Sequence, residues 1–136
     1  MDSQGFVLLA VWGIFMLFFF FLLIVSIYSE WKLFEKAKYP GWYSIIPFLN
    51  YWIAIDMIYK DINKNLIFIL IGFISGGFTN LLWLVRHAQV FGKSPIEGIL
   101  VFIPLYGQYL LYKWATDPSV VYKGPMKKED LIAGYF

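Results

Sequence analysis

Four uncharged runs divide the chain: Ser3 to Ser29, Tyr39 to Ile55, Asn65 to Val85 and Gly98 to Tyr112. The first is 27 residues long and the third 21. A helix rises about 1.5 Å per residue, so each is long enough to cross a hydrocarbon core of about 30 Å. The second and fourth, 17 and 15 residues, are shorter, and each carries a proline, Pro47 and Pro104. The fourth covers only about 22 Å unless Lys113 snorkels or the bilayer thins. Proline inside a helix removes a backbone bond and clashes with the preceding turn, so these two segments either cross as kinked helices or dip in and return. The hydropathy pattern predicts four crossings, near 5–28, 41–59, 65–86 and 97–114, within one membrane domain over 1–117.

Between the first two runs, Trp31, Phe34 and Ala37 recur every three residues, while Lys32, Glu35, Lys36 and Lys38 fill the other faces. This pattern predicts a short amphipathic helix near 30–38 lying in the interface, with Trp31, Phe34, Lys36 and the following Trp42 as anchors. From 118 to 136 the chain is polar and reads as an extended, solvent-exposed tail whose Tyr135 and Phe136 are able to pin back. In the third run Gly72, Gly76 and Gly77 offer a close approach to a neighbouring helix.

The chain also repeats itself. Phe34, Lys36, Gly41, Ile46 and Pro47 recur 57 residues later as Phe91, Lys93, Gly98, Ile103 and Pro104, five identities in fourteen positions. At the same offset Asp56 falls on Lys113 and Lys60 on Asp117, so an i,i+4 charge pair returns with its signs exchanged. Two parallel helix-pair repeats follow naturally, since each unit of two helices makes an even number of crossings.

Composition agrees with a membrane solvent: 60% hydrophobic residues, 15% charged and a mean hydropathy of +0.66. The first run is not the pattern of a secretory signal, because no Lys or Arg precedes it and no Ala-x-Ala site follows. A net charge of +2 gives no reason to expect nucleic acid. Zero cysteines and one histidine remove disulfides, thiolate chemistry and multi-histidine metal sites. Four crossings split the Lys and Arg residues five to six between the two sides, which decides no orientation. Asp2 before the first run and three lysines soon after it favour an outside N-terminus.

The stretch Trp31-Lys32-Leu33-Phe34-Glu35-Lys36-Ala37, Pro40-Gly41-Trp42 and Ile46-Pro47-Phe48-Leu49-Asn50 resembles the motif of a family of small bacterial multi-spanning membrane proteins of unknown function. Ala88, Phe91-Gly92-Lys93 and Ile103-Pro104 resemble that family's second half. The chain departs at Lys38, where the family more often has glycine, and in lacking the tryptophan-rich start of the family's third helix. The resemblance implies a bacterial cytoplasmic membrane protein and no activity. Some relatives carry a signal-peptidase label, but serine–lysine proteolysis needs a folded domain to hold an extended substrate. No stretch of this chain is suited to build one.

The remaining polar groups admit two readings. Asp56, Lys60, Lys113 and Asp117 sit at the ends of short runs, where ion pairing in the headgroup region is the plain expectation and a pathway for a cation or proton the sharper one. An Asp56–Lys113 pair across the bundle would set register. Asn50, Asn80 and Gln108 lie at membrane depth and are expected to hydrogen-bond between helices, and Arg86-His87 to anchor the interface. The sequence thus predicts an all-α membrane bundle without catalytic, cofactor or metal site. Its expected partners are the lipid bilayer and other membrane subunits or further copies of itself. The expected role is non-enzymatic, an accessory or interaction subunit; the alternative is a small oligomeric transporter or channel with Asp56, Asn50 and Lys113 near its path.

Overall fold

A computed structural model describes residues 2–60, 62–75 and 78–132, with the side chains of 62 and 63 excepted. Among them there are helices and no strand: α1 (Ser3–Lys36), a 3₁₀ turn (Gly41–Ile45), α2 (Pro47–Tyr59), α3 (Ile62–Ile74), α4 (Phe78–Val90), α5 (Pro95–Leu100), α6 (Tyr106–Thr116) and a short 3₁₀ turn (Lys128–Asp130). Gly76, Gly77, Tyr135 and Phe136 lie outside the described residues.

The α1 helix runs unbroken for 34 residues, about 51 Å at helical rise. Asp2 caps it by accepting from the Gly5 N–H at 2.7 Å. It is the one described helix long and apolar enough to cross a membrane. The expected separate interfacial helix near 30–38 is instead the last turns of α1. Nothing there breaks a helix, and Ser29 turns its hydroxyl back to the Val25 carbonyl at 2.7 Å rather than capping a new one. The helix closes at Lys38, whose φ of +66° lies in the left-handed region. There Lys38 N–H reaches the Glu35 carbonyl and Tyr39 N–H the Phe34 carbonyl. A left-handed closing residue is usually glycine, which gives a physical reason for the glycine of the family that this segment resembles.

From Phe6 to Leu17 the large apolar side chains of α1 are exposed, with no described helix against them, and α6 comes alongside only from Phe18 onward. Its C-terminal turns are different: Leu33 and Phe34 are fully buried. Phe34 is therefore a core residue and not an interfacial anchor.

The other runs fold back on themselves. Pro47 takes the first position of α2, where its missing N–H costs nothing, and the run expected as one helix over 41–59 becomes a 3₁₀ turn followed by a helix. The run expected over 65–86 is two helices, α3 and α4, laid side by side so that Phe68 meets Trp83 with ring centroids 5.8 Å apart. The last run is α5, a bend at Val101 to Leu105, and α6. Three hairpins result, and their ends sort. Asp56 of α2 meets Asn65 of α3, Val90 of α4 accepts from Lys123, and the carbonyls closing α6 meet Lys36. At the opposite end lie Pro47, Phe73 and Phe78, with the α5–α6 bend placing Leu105 near Phe18 and Phe21 of α1.

At the first end two devices stitch the elements. The Lys36 ammonium donates to the carbonyls of Trp114, Asp117 and Val120, each at 2.7 Å, and so closes the C-terminus of α6 onto α1. The segment after α6 is a strap and not a free tail. Lys123 N–H donates to Val90, Met126 N–H to Ile58, the Tyr122 hydroxyl to Met57, and Val120 and Leu131 are buried. Val, Tyr, Met and Leu among the polar residues supply the apolar contacts that pull it down.

The paired glycines are close approaches. A Cβ on Gly41 would enter the Trp31 ring at 2.2 Å, and one on Gly98 would lie 2.5 Å from the Val85 Cα and 2.6 Å from the Leu84 carbonyl oxygen. Gly98 meets backbone, which cannot swing away as a side chain can. Gly98→Ala is expected to lower the unfolding free energy in mixed micelles by about 2–3 kcal/mol. Gly13→Ala, with nothing within 4 Å of its Cβ, is expected to cause no loss.

Candidate functional site

Three helical stripes converge on one cavity of about 350 Å³. Asn80, Trp83, Leu84 and His87 follow i, i+3, i+4, i+7 on α4, and Asn50, Tyr51, Ala54, Ile55 and Ile58 form the facing stripe of α2. Glu30 enters from α1, Leu111 from α6, and Phe102 from the bend after α5. Glu30 belongs to the same helical stripe as Leu33, Phe34 and Ala37, all buried. The lining is mostly apolar, and its polar groups are a carboxyl, an imidazole, two amides and a phenol.

Two of those polar groups lack internal partners. Glu30 Oε2 and His87 Nε2 are both enclosed and make no hydrogen bond. The Glu30 residue as a whole is half-buried, but the exposure belongs to the rest of the residue, and the oxygen itself is shielded. His87 is buried at 6% exposure. The others are satisfied: the Tyr51 hydroxyl donates to Asn80 Oδ1 at 2.6 Å, and Asn50 Nδ2 donates to the Ser44 carbonyl at 2.9 Å. Among the described residues, no Lys or Arg lines the cavity. At its edge the Trp83 indole N–H and the Tyr59 hydroxyl face each other short of hydrogen-bond geometry.

The residues that the sequence singled out are dispersed. Asn50 and Asn80 reach the cavity, and only Asn80 joins two helices, through Tyr51. Gln108 is local, its Oε1 accepting from the Leu105 N–H at 2.8 Å, where a leucine with φ +71° begins α6. Asp56 lies at the charged end and takes the Tyr39 hydroxyl and, at 3.0 Å, the Asn65 amide, instead of pairing with Lys60 or Lys113. Burial first, then the bond to Asp56, hold the Tyr39 phenol above its usual range, so it remains a donor. Lys60 sits 4.9 Å over the Tyr39 ring. Lys113 is exposed on α6, and Asp117 accepts from Ser119 N–H and hydroxyl. The exchanged charge pairs therefore do not meet.

Of the anchors, Trp31 donates to Glu35 at 2.6 Å and covers Gly41, Lys36 closes α6, and Trp42 is exposed. Arg86 and His87, expected at the interface, are buried, because α5 and the hairpin ends cover that turn of α4. Glu30 was passed over by the sequence reading, and His87 was read as an interfacial anchor instead of a cavity group. Spacing held the signal: an acidic residue three and four positions before Leu33 and Phe34 lies on their face, and a histidine four after Trp83 lies on the tryptophan's.

Tyr51→Phe removes the partner of Asn80 and leaves an amide oxygen against an apolar wall. It is expected to lower stability in micelles by about 1–2 kcal/mol, with Asn80→Leu in the Tyr51→Phe background recovering part of the loss. Compared with known proteins, the chain matches no family model, no curated protein and no solved structure.

Proposed function

We propose that this is a non-enzymatic integral membrane protein of the accessory or interaction kind, anchored by α1 and sunk into one face of the bilayer by its three hairpins. The observation that carries the reading is the separation of apolar surface from charge. Lipid is the occupant that fits the bare stretch of α1, which is apolar around its whole circumference. Phe48, Phe73, Phe78 and Phe102 are exposed toward the uncharged end of the hairpins. The lysines lie at the ends where α1 closes, where the hairpins return, and along the strap.

The topology that follows has one crossing and three re-entrant hairpins. α2, α3 and α4 are 13 residues each, about 20 Å, short of a full crossing. Backbone at membrane depth needs internal partners. The α5–α6 bend supplies them, with Phe102 N–H on Ile99, Ile103 on Leu100 and Gly107 on Ile103. Hairpins that return also remove the five-to-six division of cations, because all loops then share a side. On the positive-inside rule that side is cytoplasmic and the N-terminus is outside.

Packing supports a two-unit construction as well. The 3₁₀ turn packs on α1 as α5 packs on α4, and α2 packs on α4 as α6 packs on α1. Units related in this way run in the same direction, as parallel repeats do. A serine–lysine site finds no support among the described residues: Ser29 is bonded to Val25, and Ser94 to Glu97.

Since the chain has no cysteine, single cysteines report topology cleanly. Lys60→Cys, Lys93→Cys and Ser119→Cys are expected to react with a membrane-impermeant maleimide from the same side of sealed vesicles, while Ile74→Cys stays protected. Reaction of positions 60 and 93 from opposite faces would restore four crossings. Isolation from native membranes in mild detergent is expected to yield a stoichiometric membrane partner; a partner-free monomer contradicts the accessory role.

A further inference from the structure

The cavity between α1, α2 and α4 has a composition that selects among ligands. Its only acidic group among the described residues is Glu30, whose Oε2 is shielded and unbonded. A carboxyl held away from water ionises only where a counter-charge accompanies it, and among the described residues the cavity wall has no Lys or Arg to supply one. The walls also present three aromatic rings, those of Tyr51, Trp83 and Phe102. Rings of this kind attract a cation through their faces, and quaternary ammonium groups are the ligands most suited to such surroundings. The volume of about 350 Å³ falls within the range of small-molecule sites.

Other ligand classes fit less well. An anion would meet Glu30 with no basic side chain to offset it. A divalent metal ion needs more donors than the cavity offers: among the described residues no group of three His, Cys, Asp or Glu is gathered. Asn80 Oδ1 is already engaged by Tyr51. A neutral apolar molecule would leave Glu30 Oε2 with neither a hydrogen bond nor a counter-charge, a costly state in a low-dielectric site.

We propose that this cavity binds an ammonium group carried on an apolar body, with Glu30 as the counter-charge and Tyr51, Trp83 and Phe102 as the aromatic wall. The ammonium belongs to a free lipophilic amine or to the headgroup of a choline or ethanolamine lipid, which share this chemistry. The inference deepens the accessory reading by giving the protein something to bind. It rests on that reading only for the route by which the ligand arrives.

The test is titration calorimetry on the full chain in a non-ionic, lipid-free detergent, with benzyltrimethylammonium as probe. Saturable binding is expected for the wild type and for Glu35→Gln, whose carboxylate is on the exposed face of α1. Glu30→Gln is expected to weaken binding at least about tenfold, the usual consequence of removing one member of a buried charge pair. Far-ultraviolet circular dichroism of Glu30→Gln checks that the helices persist, and Glu30→Asp, which keeps the charge, is expected to restore part of the affinity. Neopentylbenzene, the uncharged isostere, is expected to bind at least about tenfold more weakly than the probe. In nanodiscs of phosphatidylglycerol, admixed phosphatidylcholine and, separately, phosphatidylethanolamine distinguish the sources: competition with the probe by either assigns a lipid headgroup, and its absence with both a free amine. No saturable binding by the wild type, equal binding by Glu30→Gln, or equal binding of the isostere overturns the proposal. Because these titrations are done in detergent, they fail independently of the vesicle-labelling result.

Discussion

The lysines of this protein gather at one end of a bundle of short helices, and almost every other feature follows from that. A helix of about 20 Å that begins and ends in apolar surroundings would leave charge or open backbone in lipid. In the proposed topology each hairpin avoids this by returning to the end from which it entered. The prolines make the return possible: Pro47 starts α2 at a position that needs no N–H, and Pro104 lies in the bend before α6. Only α1 continues past the hairpin ends, and it does so with uncharged residues from Ser3 to Ser29.

The charged end is also where the pieces are joined. Lys36 serves as a cap for a helix end 78 residues away in sequence, satisfying the Trp114 carbonyl of α6 and those of Asp117 and Val120 just beyond it. The strap from Val120 to Leu131 ties α2 and α4 together, and the Tyr39–Asp56–Asn65 contacts tie α1, α2 and α3. Joining the helices at this end leaves the middle of the body to a different purpose. There the stripes of α2 and α4, with Glu30 of α1, line a cavity in which Glu30 Oε2 and His87 Nε2 have no internal partner.

Much of this was legible in the residues. Uncharged runs located the helices, and the two prolines marked the breaks. The recurrence of Gly41 and Gly98 pointed to the two places where one element presses on another. Boundaries were harder for a physical reason. Hydropathy averages over a window and cannot tell a crossing from a hairpin of equal length, so the run from Asn65 to Val85 read as one helix. The charge pairs misled in a similar way. Asp56 and Lys60 are spaced to meet on an isolated helix, but Tyr39 and Asn65, brought by other elements, take the carboxylate first. Glu30 escaped because the face of its helix was assigned from Trp31, Phe34 and Ala37, a spacing of three that drifts around the helix. The i, i+3, i+4 set of Glu30, Leu33 and Phe34 is the face that the fold buries.

Depth is the quantity on which the account turns. Nitroxide labels at positions 48, 73 and 102, read by paramagnetic relaxation with oxygen and a water-soluble nickel chelate in nanodiscs, measure it directly. All three hairpin ends are expected near the middle of the bilayer, at similar depths and shielded from nickel, with a label at position 60 fully accessible to it. Nickel accessibility at positions 48 and 102 matching that at 60 would place those ends in water and contradict a body that enters and leaves by the same face.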